Sequence, residues 1–239
     1  MKNNDLNEEA SKALASVLNL ADEPENFEHL YKLYYEKIVE TIPLCKDFVD
    51  QCSTDEVLSL VKIYKKFVNR LMKRIIKMPE EQSIQAIFDI LLYCFKNDDL
   101  GLTDALTDYF SDIISRIQKI DDSGEFSADV KAFNLFYREK LFFPIIKESL
   151  RIARLNQKHL RFFEDRNLDS DDDEKDDDFQ QKNDNREQIK HLIREVSRIT
   201  GFKDTMKYIA ECMQTSMSYN VGSEKGVYSL DFLCEFESE

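Results

Sequence analysis

The chain has 239 residues and a formal net charge of −14. Its content of 42% hydrophobic and 11% aromatic residues is enough for a substantial core and excludes a disordered chain. Five Gly and four Pro are too few for the tight turns of an all-β or α/β protein, and the acidity argues against a general nucleic-acid binder.

In chain order, Leu6–Leu20 is the first predicted helix, rich in Ala, Leu and Glu and capped by Asn4 or Asp5. The start, MKNNDLNEEA, lacks the apolar centre of a signal peptide. Asn26–Ile42 carries Phe27, Leu30, Leu33, Tyr34, Ile38 and Ile42 at helical spacing, and Pro43 bends or restarts it before Cys52. Ser53 or Thr54 caps the next helix, with Asp55 and Glu56 in its first turn, where carboxylates favour the amino end.

That helix holds the most informative stretch, Val61–Met78, which reads VKIYKKFVNRLMKRIIKM. Val61, Tyr64, Phe67, Val68, Leu71, Ile75 and Met78 recur at three and four, the period of a helix with one buried face. Lys62, Lys66, Arg70, Lys73 and Lys77 step by the same intervals on another face, and no acid interrupts them. A cationic face in an acidic protein calls for an anion.

Pro79 interrupts the pattern, and Glu80–Phe95 resumes it. Thr103–Ile120 is a further helix, Asp121–Ser127 a turn, and Asp129–Phe143 another amphipathic helix. Pro144 suits the first turn of the following helix, expected to run to about Glu164. It carries a second cationic ladder of Lys147, Arg151, Arg154, Lys158 and Arg161. Either ladder could equally be a solvated face.

Asp169–Asp178, DSDDDEKDDD, sets eight acids against one lysine, a net −7 and half the total charge. Self-repulsion predicts a loop, with the disordered segment spanning 167–185. Asp169, Asp171 and Asp173 resemble the start of a calcium loop. Glu174 and Gln180 then stand where that loop needs Gly and Glu, so a spacer with an acidophilic-kinase target at Ser170 is the better reading. Glu187–Ile199 and Phe202–Tyr219 are the last predicted helices, parted by Gly201, and 220–239 is a tail.

The expected architecture is all-α, an antiparallel bundle of about eight to nine helices with a concave groove, in one domain over 1–219. Cys45, Cys52, Cys94, Cys212 and Cys234 are odd in number, with no CxxC pair, and His29, His159 and His191 are scattered. Reduced thiols in a cytoplasmic or nuclear protein, with no metal and no cofactor, are the expectation. No run of about 18 apolar residues predicts a membrane span, and neither membrane nor nucleic acid is expected as a partner. No glycine-rich phosphate loop, paired-histidine motif or nucleophile motif points to an enzyme.

Four stretches carry a family likeness. Ser53–Lys66, STDEVLSLVKIYKK, joins an acidic cap to a leucine-rich turn and a Tyr-Lys pair. Lys131–Phe143, KAFNLFYREKLFF, spaces Lys, Phe and Leu before an aromatic pair. Phe202–Tyr219, FKDTMKYIAECMQTSMSY, opens aromatic-Lys-Asp-Thr and closes on an aromatic, and Ala153–Glu164 holds Leu-Asn followed by two aromatics and Glu. These resemble the third, fifth, last and seventh helices of the 14-3-3 family of phosphopeptide-binding adaptors.

The resemblance implies a fold, a homodimer and a ligand: phosphoserine or phosphothreonine segments of partner proteins held in a basic groove. Lys65 falls on the family's peptide-binding lysine and Asn156 on the asparagine that holds the peptide backbone. The family's phosphate-gripping arginines and tyrosine fall on Met72, Phe143 and Pro144, and its final-helix asparagine on Thr215, so the usual grip is broken. Lys65, Lys66, Arg70 and Lys73, opposed by Arg138, Arg151 or Arg154, are the candidate substitutes, with weaker phosphate capture because lysine lacks the guanidinium fork. Ser238, next to the last residue, is a candidate phosphosite through which the tail would occupy the protein's own groove. The alternative is a helical scaffold that binds partners without phosphate.

Overall fold

The computed structural model describes residues 36, 40, 43–45, 47, 49–97, 99–153 and 173–218. Among them every regular element is helical and none is a strand. The helices are α1 (Thr54–Lys77), α2 (Gln82–Phe95), α3 (Leu100–Asp122), α4 (Ser127–Tyr137), a π-helical turn (Arg138–Phe142), α5 (Phe143–Ile152), α6 (Asp173–Thr200) and α7 (Phe202–Ser218). The expected helix Leu6–Leu20, most of Asn26–Ile42 and the tail at 220–239 lie outside the described residues, as do Arg154, Asn156, Ser170 and Ser238. Where the sequence suggests one domain over 1–219, the chain divides into two compact units, Met1–Leu141 and Phe142–Glu239.

In the first unit, α1 starts where its cap residues place it. The Glu56 carboxylate accepts from the backbone N–H of Ser53 at 3.0 Å and from its hydroxyl at 2.9 Å, fastening the first turn. Its apolar stripe is buried through Val57, Val61, Tyr64, Phe67, Val68, Leu71, Met72, Ile75 and Ile76. This stripe packs on α2, α3 and α4. Each fully buried aliphatic or aromatic side chain contributes roughly 1.5–3 kcal/mol. Phe95 of α2 meets Phe110 of α3 edge-on at 5.3 Å, and Phe88 meets Tyr137 of α4 in the same way at 5.1 Å.

The polar bonds between α1 and α3 reveal their direction. Thr54 donates to Asp99 at 2.9 Å, Tyr109 donates to the Tyr64 carbonyl at 3.4 Å, and Asn69 donates to Asp112 at 3.0 Å. The partners are 45, 45 and 43 residues apart. A nearly constant offset means that the two helices run parallel and in register. Asp99 also caps α3 by accepting from the Leu102 N–H at 2.9 Å, so one carboxylate ties both amino ends together.

Pro144 stands in the first turn of the following helix, as expected, and a π turn precedes it. Pro144 has no N–H and crowds the carbonyl four residues back, that of Lys140. The backbone widens into the π turn Arg138–Phe142 just before it, and α5 begins with Pro144 in its first turn. Helical backbone therefore continues without a gap from Ser127 to Ile152.

In the second unit α5, α6 and α7 pack on one another. Phe143 stacks on Tyr208 with centroids 4.3 Å apart and planes at 13°, among buried Ile145, Ile146, Leu150, Ile189, Leu192, Ile193, Val196 and Ile209. Gly201, at φ 90, makes the turn between α6 and α7. The loop expected to run through 185 is corrected here: α6 is helical from Asp173.

Candidate functional site

The cationic ladder of α1 is the candidate site that the structure describes most fully. Lys62, Lys66, Arg70, Lys73, Arg74 and Lys77 are all exposed, on the side of the helix opposite its buried stripe. Lys62 and Lys66 pair with none of the described residues. Arg74 lies 3.9 Å from Glu81. At the carboxyl end, the ammonium groups of Lys73 and Lys77 sit 5.6 and 4.6 Å from the centre of one ring, that of Phe126, a position that cation–π attraction favours.

Lys65 behaves differently from its neighbours. It is turned toward α3, 3.7 Å from the Asp112 carboxylate and 5.7 Å from the centre of the Tyr109 ring. Asp112 also accepts from Asn69 at 3.0 Å and from Arg116 at 3.3 Å. The residue that the family likeness marks as peptide-binding is thus part of a helix-to-helix contact, with its charge offset.

Arg138 lies 3.8 Å from Glu139 on the π turn of the first unit. In the second unit, Arg151 donates to Glu148 at 2.7 Å within α5, and Lys147 is exposed. Glu148 is itself buried. Lys66, Arg70 and Lys73 are thereby brought together along one helix with Lys65 at its edge, whereas Arg138 and Arg151 each have an acid of their own. Met72 and Phe143, two of the positions where the family's phosphate grip would fall, are core residues and cannot reach a ligand from there.

Sequence reasoning missed Asp112, Asn69 and Phe126. Asp112 and Asn69 meet across a 43-residue separation that carries no local periodic signal. Phe126 had one available: it is the lone aromatic in the polar turn Asp121–Ser127.

The thiols described here are not disposed to react. Cys94 and Cys45 are buried, and burial pushes the Cys94 thiol up to about 12, away from the reactive thiolate. Cys45 lies 2.9 Å from the Tyr64 hydroxyl. No group of three or more potential metal ligands occurs among the described residues, and none of their helices is long and apolar enough to cross a membrane.

Comparison with known proteins adds no relative: no family model, no curated protein and no solved structure matches the chain.

Proposed function

We propose that the protein is a helical adaptor, a divergent relative of the 14-3-3 family, that holds phosphorylated segments of partner proteins against the cationic face of α1. The observation that carries this reading is a row of exposed lysines and arginines, free of acids, on one helix of a protein with net charge −14. A phosphoserine brings close to two negative charges and three acceptor oxygens. Lysines at successive turns meet it with point charges rather than forks, so capture is weaker and less discriminating than an arginine grip. A net charge of −14 opposes acidic molecules in general, and this cationic face attracts them locally.

Calorimetry at low salt with several phosphoserine peptides tests the proposal. Binding to phosphorylated but not plain peptides is the expected result. No binding by the folded protein would overturn it.

A second reading, a scaffold that binds partners without phosphate, is favoured by one observation. Leu135 of α4 is 68% exposed, on the same face as exposed Ala128 and Ala132. Phosphatase treatment of a captured partner separates the two: release supports the adaptor, and retention supports the scaffold.

A further inference from the structure

The shape of the cationic face bears on which phosphorylated segments it takes, an inference that rests on the function proposed above. Lys62, Lys66, Lys73 and Lys77 form a straight row over four turns of α1, with Arg70 between them. At 1.5 Å per residue the row is about 22 Å long, with a cation every 5–6 Å or so. An extended peptide turns every second side chain to the same side, roughly 6.6–6.8 Å apart, so about seven of its residues span the row. Each of the four lysines is exposed, so the row offers several weak anion contacts rather than one enclosed strong one. Lys73 and Lys77, at the carboxyl end of the row, both lie against the Phe126 ring.

We infer that the ligand is an extended segment carrying phosphates or phosphates mixed with carboxylates at alternate positions, laid along α1, and not a single phosphoserine seated in a pocket. Such segments are the products of kinases that phosphorylate serines among acids. Single-stranded nucleic acid also has regularly spaced phosphates. The net charge of −14 opposes a long polyanion more than a short peptide, because most of a long strand lies beyond the row and against the acidic remainder.

The test compares three nine-residue peptides of one sequence, with phosphoserine at three alternate positions, at one, or at none. It is run on the full chain and on the double variant Lys62→Gln/Lys66→Gln, whose substitutions are exposed and leave the core intact. The triply phosphorylated peptide is expected to bind about tenfold tighter than the singly phosphorylated one. The double variant narrows that gap to about threefold or less, with an unchanged circular dichroism spectrum. Equal affinity for the two phosphopeptides overturns this inference and leaves the proposed adaptor function standing. Failure to bind either removes both. Competition by a short single-stranded DNA as effective as the triply phosphorylated peptide overturns the choice of a peptide ligand.

Discussion

Lys65 and Asp112 stand 3.7 Å apart on two parallel helices, and this contact sets Lys65 apart from the neighbouring α1 ladder. Asp112 is the shared acceptor of Asn69, Arg116 and Lys65. The pairing holds charge at the α1–α3 contact, while Lys62, Lys66 and Lys73 stay in solvent. Lys65 and Lys66 are neighbours in sequence, and packing gives them different work.

Removing the acceptor should therefore cost more than removing the lysine. Asp112→Ala strands the Asn69 amide, whose Oδ1 is already buried without a hydrogen-bond partner, and is expected to lower stability by about 1–3 kcal/mol. Lys65→Met breaks a contact whose side chains are 37% and 33% exposed, and solvent screening holds its effect under about 1 kcal/mol. Urea unfolding of the two variants measures the difference. The opposite order would show that Asp112 is not the hub of the contact.

Asp99 joins the amino ends of α1 and α3, so its loss should register in both helices. Asp99→Ala removes the bond from Leu102 and the one from Thr54, and about 1–2 kcal/mol is expected. Thr54→Val removes only the second. A double-mutant cycle should give a coupling of about 0.5 kcal/mol or more between the two positions. Simple additivity would mean that the Thr54–Asp99 bond does not link the two helix ends.

How far the sequence discloses this structure follows from the range of each signal. Local signals were sufficient for α1: the Ser53 cap, Asp55 and Glu56 in the first turn, and an apolar stripe of helical period all act within a few residues. The same holds for Gly201, which parts α6 from α7. The acidic run reads as a loop from its self-repulsion, yet it is helical from Asp173 onward. Pro144 opens α5 as its residue type implies, whereas the π turn before it has no local signal in the sequence. The neighbours of the cationic face were illegible for a different reason. Asn69 and Asp112 meet only because α1 and α3 lie parallel with an offset near 45, a property of packing that no window of sequence contains.

Gly201 offers a clean test of backbone strain. Its φ of 90 lies where side chains are rarely found, yet a Cβ there would meet nothing within 4 Å. Gly201→Ala is thus expected to destabilise by about 1–2 kcal/mol through conformation alone. Gly201→Asn should cost less, since Asn tolerates the left-handed region better. Thermal melts of both variants check the order. A neutral Gly201→Ala would show that the turn readily adopts another conformation.

Alkaline pH should unfold the first unit ahead of what an average chain tolerates. Burial pushes the Cys94 thiol up to about 12, from an ordinary 9.0, and the nearby Cys45 adds to the rise. Burial also raises the phenols of Tyr109 and Tyr137. Every one of these groups gives up its proton more easily unfolded than folded. The stability that the neutral forms contribute is whole below about pH 9 and is lost as pH climbs through about 12. A urea midpoint that holds level to about pH 9 and then falls is the expected profile, and Cys94→Ala should flatten its early part. A midpoint insensitive to pH over that window would contradict the burial of these groups.

The ligand's own titration distinguishes phosphate from carboxylate on the α1 face. A phosphoserine passes from one negative charge to two with a second pKa of about 6. Carboxylates of Asp and Glu have already ionised by about pH 5. Affinity for a phosphorylated peptide should therefore rise several-fold between about pH 5 and 7.5, because the second charge adds to each lysine contact. A peptide with glutamates in place of the phosphoserines should bind more weakly and change little over that range. A profile that is identical for the glutamate peptide would locate the titrating group on the protein and count against recognition of the phosphate dianion by Lys62, Lys66, Lys73 and Lys77.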